Sequence, residues 1–276
     1  GHIMKPKVAF FDFAGCEGDQ LQVANLEEQL LDLLELVEVV NFREVISQKS
    51  DDYDIAFIEG SIASDHDAER LKGIRKNADI LVALGSCAAI GGINSIRNSQ
   101  DPTKVRERVY GENADKFEAW DKAKAVDAVV EVDHYVYGCP IDKNEFIHVV
   151  ESLVQGKKPD IPTYPVCVEC KMNENVCVFA RNGDGQTISS SNKEIQTPDG
   201  NISEQGPFCL GPVTRAGCDS KCVNEGTTCW GCRGLIDNPN ENAHKKVLDK
   251  YGLTVDEILN KFNLYFGWQQ EESKDE

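Results

Sequence analysis

No stretch of this 276-residue chain stays apolar for the roughly 20 residues that a helix needs to span a bilayer. No secretory leader is expected either. Lys5-Pro6-Lys7 runs directly into Val8-Ala9-Phe10-Phe11, which reads as a short strand, and there is no twin-arginine export signal. Gly1-His2-Ile3, ahead of Met4, is expected to be a cloning remnant before a native start, and it is left out of the fold reading. The expectation is a cytoplasmic protein with no membrane span. Basic residues are also scarce: 29 Lys and Arg face 47 Asp and Glu, a formal net charge of −18. Nucleic-acid binding wants a basic footprint, so that class is excluded, and the surplus acid serves solubility. There are no internal repeats, and the five histidines show no ligand spacing. One of them, His134, falls inside an expected strand and should be a core residue.

The first half alternates strands and helices. An apolar run over 8–13 predicts a first strand. Leu21, Ala24, Leu26, Leu30, Leu33 and Leu34 give the periodicity of a helix over 19–37. Val37–Phe42, Ile55–Ile58 and Ile80–Leu84 read as three more strands, and 131–137 as a fifth. Helices are expected near 65–77, near 121–130 and over 143–155. This alternation implies an α/β fold: a flavodoxin-like, doubly wound parallel sheet. Such sheets take ligands beyond the carboxyl ends of the strands, at a topological switch point.

The composition then shifts. Pro159, Pro162 and Pro165 punctuate the chain and mark a boundary between a domain over 5–160 and a second over 161–276. Residues 166–240 are polar, irregular and rich in Cys, Gly and Asn. A segment of that kind buries little apolar surface, so bound metal is expected to supply its core. Residues 183–205 should be a surface loop, 242–263 helical, and Glu271–Glu276 a charged tail.

Cysteine is what the chain has in quantity: 11, an odd number. Disulfides are rare in a cytosolic protein, so close cysteine spacing points to metal. Cys16, Cys87 and Cys139 each follow an expected parallel strand and each has a glycine nearby. If those strands are neighbours, the three sulfurs converge on one crevice. A lone cysteine in such a loop is more often a small buried hydrophobe; three at equivalent strand ends argue against that. A second group is Cys167, Cys170, Cys177 and Cys209, and a third is Cys218, Cys222, Cys229 and Cys232. Four thiolates suit either zinc or a [4Fe–4S] cluster, and the spacings alone do not choose. Two tetrathiolate sites beside a third cysteine group favour an electron wire over a zinc-stabilised binding protein.

Several motifs carry a resemblance. They are Ile58-Glu59-Gly60-Ser61, Gly85-Ser86-Cys87-Ala88, Tyr137-Gly138-Cys139-Pro140, Pro165-Val166-Cys167-Val168-Glu169-Cys170, the run from Cys209 to Cys218, and Cys229-Trp230-Gly231-Cys232-Arg233-Gly234. With them the chain resembles the small, iron–sulfur subunits of cytoplasmic [NiFe] hydrogenases, above all the delta subunit of sulfhydrogenases. The resemblance implies three [4Fe–4S] clusters in a line and no catalytic residue in this chain. The proximal cluster would lie in the flavodoxin-like domain, beside a Ni–Fe centre in a partner large subunit. Cys218, Cys222, Cys229 and Cys232 would hold the medial cluster, and Cys167, Cys170, Cys177 and Cys209 the distal one. Electrons would pass to a flavin- and NAD(P)-binding diaphorase partner and a further iron–sulfur subunit. Related branches deliver them to heterodisulfide reductase or to a deazaflavin coenzyme. Respiratory complex I–type subunits resemble the first half but lack the eight later cysteines.

One departure stands out. The family pattern at the proximal site is C-x-x-C, and here it reads Cys16-Glu17-Gly18-Asp19. Cys16, Cys87 and Cys139 are then three ligands, which with the two groups of four use all 11 cysteines. The resemblance implies Asp19 as the twelfth ligand, through a carboxylate oxygen; the plain alternative is an N-cap for the helix that follows. Glu17 and Glu59 are expected to be surface carboxylates.

Overall fold

In a computed structural model of the protein the described residues are 5–26, 28–42, 50–101, 103–104, 108, 120–180, 195–196, 202–203 and 208–272. They fall into two compact units: Gly1–Ile161 together with Gly267–Glu276, and Pro162–Phe266.

The first unit is built on five parallel strands: β1 (Lys7–Asp12), β2 (Glu38–Asn41), β3 (Ile55–Glu59), β4 (Ile80–Leu84) and β5 (His134–Val136). Their order is β2-β1-β3-β4-β5, the flavodoxin-like order, with its switch point between β1 and β3. Asp12 pairs with Glu59, Glu59 with Leu84, and Leu84 with Val136, so the carboxyl ends of four strands stand side by side. Residues that follow those ends are forced to be neighbours.

Both faces of the sheet are covered, which is why β1 and β3 read as unbroken apolar runs. Alternate residues point to opposite faces. Val8, Phe10, Phe57, Val82 and Leu84 pack with Leu26, Leu33 and Phe146 on one side. Ala9, Phe11, Ala56, Ile58 and Leu81 pack with Leu71 and Ile74 on the other. The covering helices are α1 (Gly18–Ala24), α2 (Glu28–Leu36), α3 (Asp65–Asn77), α4 (Ser86–Ile90) and α5 (Lys143–Val154). Ser64 caps α3 by accepting from Asp67 N–H, and Asp142 caps α5 by accepting from Asn144 and Glu145 N–H.

Four expectations are corrected in this unit. The single helix over 19–37 is two helices, α1 and α2, and Leu21 is 46% exposed instead of in the core. The helix near 121–130 is not formed. Lys124 instead exchanges two 2.8 Å backbone hydrogen bonds with Ile62, which holds that segment extended, and only Val126–Ala128 makes a short 3₁₀ turn. The fifth strand is confined to β5, with His134 half-buried at its first position. Glu59 is buried, not a surface carboxylate.

The second unit carries α6 (Val166–Met172), α7 (Lys221–Asn224), α8 (Glu241–Lys250) and most of α9 (Val255–Glu272). The one helix expected over 242–263 is broken at Gly252, whose φ is +93°, a conformation glycine adopts without a Cβ penalty. Thr254 and Glu257 then start α9 as a capping box: Glu257 N–H donates to Thr254 Oγ1 at 3.3 Å and Thr254 N–H to Glu257 Oε2 at 2.7 Å. Phe208, Leu210, Val213, Leu248, Ile258, Phe262 and Phe266 form an apolar core of their own. The expectation that this region buries too little apolar surface to form a core is corrected accordingly. Of the expected 183–205 loop only β6 (Ile195–Gln196) and β7 (Ile202–Ser203), an antiparallel pair, are described; the rest, and tail residues 273–276, lie outside the described residues. Among the described residues no helix is long and apolar enough to cross a membrane.

Candidate metal centres

At the carboxyl end of β1 the chain turns under the end of β3. Ala14 and Ser61 form an antiparallel bridge, and a Cβ at Gly60 would lie 2.8 Å from the Phe13 carbonyl carbon. Only glycine lets these backbones cross so closely. Cys16 follows, exposed, and Glu17 takes a left-handed φ of +59° as the N-cap of α1 without making a side-chain cap. Glu59 does that work from the neighbouring strand. Its Oε1 and Oε2 accept the Asp19 and Gln20 N–H groups, each at 3.1 Å. Those donors would otherwise be orphans of the first turn, and a carboxylate suits the positive end of a helix. Asp19 is therefore not the N-cap; it sits inside the first turn and is 8% exposed.

Gly85, with φ +85°, ends β4, and α4 begins at once with Ser86 and Cys87. Ser86 N–H donates to Gly138 O at 2.8 Å, tying the end of β4 to the Gly138-Cys139 turn. The result is one cavity of about 300 Å³ lined by Cys16, Cys87, Cys139, Asp19 and Glu59, with Leu21 among its wall residues. Asp19 Oδ1 accepts the Ile141 N–H at 2.8 Å. Burial, then the charge of Glu59, push the Asp19 carboxyl up to about 7. Burial pushes the Cys87 thiol up to about 12, with Cys139, Asp19 and Cys16 adding to it. Convergent thiols in a partly buried crevice are poor thiolates by themselves and good ones once a cation neutralises them. This donor set fits an iron–sulfur cluster.

The second unit holds the other eight cysteines. Cys167 and Cys170 lie on α6, and with Cys177 and Cys209 they line a cavity of about 90 Å³, which Cys229 also reaches. A Cβ at Gly211 would sit 3.3 Å from Cys209 Sγ and 3.4 Å from Cys167 Sγ, so the missing side chain leaves that space to the sulfurs. Gly211 N–H donates to Cys209 Sγ at 3.4 Å, the kind of bond that tunes a cluster. Cys209 O is held by the buried His244, whose Nε2 lies 2.6 Å away. Burial pushes the Cys229 thiol well up, and Cys209, Cys232 and Cys218 all contribute. Cys229 thus stands between the two groups read from the sequence. Cys218 and Cys232 are half-buried, while the Cys222 side chain, on α7, is exposed overall; partial burial of its thiol pushes it up and Cys209 adds to that.

Residues 16–153, half of the 276-residue chain, match the NADH ubiquinone oxidoreductase, 20 kDa subunit family. The chain belongs to that family. Its match ends before Cys167, so the eight later cysteines lie beyond it. The chain is similar to the sulfhydrogenase 2 subunit delta of Pyrococcus furiosus, 34% identical over 95% of this chain and 100% of that one. It is 31% identical to a subunit of the F420-non-reducing hydrogenase vhu of Methanocaldococcus jannaschii, over 84% of this chain and 82% of the relative. Among solved structures it is similar to a chain of an NAD+-reducing [NiFe]-hydrogenase in the H2-reduced state. There the identity is 27% and the TM-score 0.53, over 57% of this chain and 96% of that one. Within the family, this is a hydrogenase small subunit, an electron-transferring component of an oxidoreductase. Sequence reasoning named every cysteine and Asp19 as candidates; it missed Glu59 as a helix cap, together with His244.

Proposed function

We propose that this hydrogenase small subunit carries electrons between the Ni–Fe centre of a partner large subunit and an NAD(P)-linked, flavin-bearing diaphorase partner with its further iron–sulfur subunit, in the cytoplasm. The observation that carries the reading is the single cavity lined by Cys16, Cys87, Cys139 and Asp19 beyond the strand ends. These four would hold the proximal [4Fe–4S] cluster in a domain over 5–160. Cys218, Cys222, Cys229 and Cys232 would hold the medial cluster, and Cys167, Cys170, Cys177 and Cys209 the distal one, in a domain over 161–276. When bound, such clusters take up and release single electrons at potentials set by ligand type, hydrogen bonds and burial. The chain's own residues supply those settings. Glu59 fixes the first turn of α1 and so aims Asp19; Gly60 lets backbone approach closely and Gly85 leaves room for the Asp19 carboxylate; Gly211 N–H faces Cys209 Sγ. Asp19 oxygen is a harder ligand than thiolate and distinguishes the proximal set from the other two.

A second reading of the acceptor rests on the relative from M. jannaschii, which by its name does not reduce F420, the deazaflavin coenzyme. In that reading the electrons go to heterodisulfide reductase. Hydrogen-dependent reduction of NAD+ or NADP+ by the purified complex supports the diaphorase reading, and its absence together with co-purifying heterodisulfide reductase overturns it. Iron, acid-labile sulfide and zinc counted in the same sample test the clusters. About 12 irons and 12 sulfides per chain correspond to three full clusters, and about eight mean that the proximal set does not hold one. Dominant zinc overturns the electron-wire reading.

A further inference from the structure

Glu169 lies within the Cys167-Val168-Glu169-Cys170 step of α6, yet its carboxylate is turned to the other cysteine group. Oε1 accepts the Gly217 N–H at 2.7 Å and Oε2 accepts the Ser220 N–H at 3.2 Å. These two donors bracket Cys218, whose Sγ lies 3.9 Å from Oε2. The contact is therefore made at three points around one cysteine, from a helix that carries two cysteines of the other set.

The backbone beside this contact is held in conformations that non-glycine residues rarely keep. Glu174, Asp219 and Ser220 have φ of +57°, +55° and +48°. Such residues persist where their surroundings over-determine them. Here Asn173 Nδ2 donates to Asp219 O at 3.0 Å and to Ser220 Oγ at 2.9 Å, and Asn175 Nδ2 donates to Asn224 Oδ1 at 2.5 Å. The chain just after Cys170 is thus stitched to the chain just after Cys218. Charge is arranged at the same place. Burial pushes the Cys218 thiol up, the Glu169 carboxylate adds to that, and the guanidinium of Arg233, itself 1% exposed, opposes it.

We propose that Glu169 is a positioning residue for the Cys218 group: it clamps the Cys218 backbone to α6 and fixes a negative charge beside the Cys218 sulfur. The proposal rests on the reading of both cysteine groups as cluster ligands, and it adds the device that sets one group against the other and makes them inequivalent. A fixed negative charge beside one ligand opposes the arrival of an electron on that cluster. The cluster held by the Cys218 group should therefore sit at a lower potential than a neutral residue at 169 would give it.

The complex with its partner subunits is prepared unaltered and as Glu169→Gln, Glu169→Asp and Glu169→Ala. Each is titrated electrochemically with EPR detection, and its iron is counted. Glu169→Gln should raise the midpoint potential of one C-terminal cluster more than the other. Glu169→Asp, which keeps the charge on a shorter arm, should return that potential toward the unaltered value. Glu169→Ala, which removes the clamp, should lose about four irons per chain. Gln and Asp variants that shift both clusters alike, or an Ala variant with full iron and unmoved potentials, would overturn the proposal. Iron missing from the unaltered complex would sink the cluster reading itself, a result separable from any difference among the Glu169 variants.

Discussion

The Asp19 carboxylate lies against the backbone of Gly85: a Cβ built at position 85 would meet Asp19 Oδ2 at 1.8 Å. Gly85 also holds φ +85°, so any side chain there is both strained and in collision. Gly85→Ala should displace Asp19 from the cavity and empty the proximal set while sparing the second unit. This chain should lose about four of its roughly 12 irons, the irons of the partner subunits being unchanged. Iron and sulfide counts check this, and a full complement in Gly85→Ala would contradict the placement of Asp19 in the site.

Asp19→Cys tests the twelfth ligand directly. A fourth thiolate should keep the iron content and change the EPR spectrum and potential of the proximal cluster, because sulfur is the softer donor. An unchanged spectrum would remove Asp19 from the ligand set and leave it as a hydrogen-bond acceptor for the Ile141 N–H.

Before any cluster is bound, Asp19 should make stability depend on pH. Burial and Glu59 raise its carboxyl from 3.8 to about 7. A raised folded-state value gives stability that is fully present below about 4 and is lost as pH rises through about 7. The gap corresponds to a ceiling of roughly 4 kcal/mol. Urea unfolding of the cluster-free chain at pH 5 and pH 8 should show the loss, and Asp19→Asn should flatten it; equal curves for both proteins would refute the assignment.

Asp133 should act in the opposite sense. Burial pushes its carboxyl up, but the Arg75 hydrogen bond at 2.7 Å, the Leu81 N–H at 2.8 Å and the Arg75 charge outweigh burial and hold it below its ordinary value. A depressed value gives stability that is present above about 4 and is lost as pH falls through the folded-state value. The pair is partly exposed, so Asp133→Asn should cost only about 1 kcal/mol at pH 7 and less at pH 3. Chemical denaturation at the two pH values measures the difference.

Much of this protein is legible in the order of its residues. Apolar runs ending in Gly-Ser or Gly-Cys mark the strands and their ends, and a parallel sheet necessarily gathers those ends on one side, so Cys16, Cys87 and Cys139 are expected together. Thr254-x-x-Glu257 after Gly252 is also a readable helix start, although the apolar spacing on either side of it suits one longer helix as well. These features are local: a period of two, a turn residue or a cap depends on neighbours a few positions away.

Other features depend on partners far along the chain. Lys124 is extended because Ile62 offers it a bridge, and no pattern near residue 124 announces that. Glu59 reads as a surface carboxylate, but the register of β1 and β3 carries it beneath α1, where two unpaired N–H groups make its burial favourable. Glu169 reads as a spacer between two cysteines, and only the packing of α6 turns it toward Cys218. By itself the sequence determined which side chains are available for metal and that a parallel sheet would collect three of them. Tertiary structure alone decided which carboxylates stand beside those sulfurs. A buried charge is held by hydrogen-bond donors from distant segments, and only the folded register brings those donors to it.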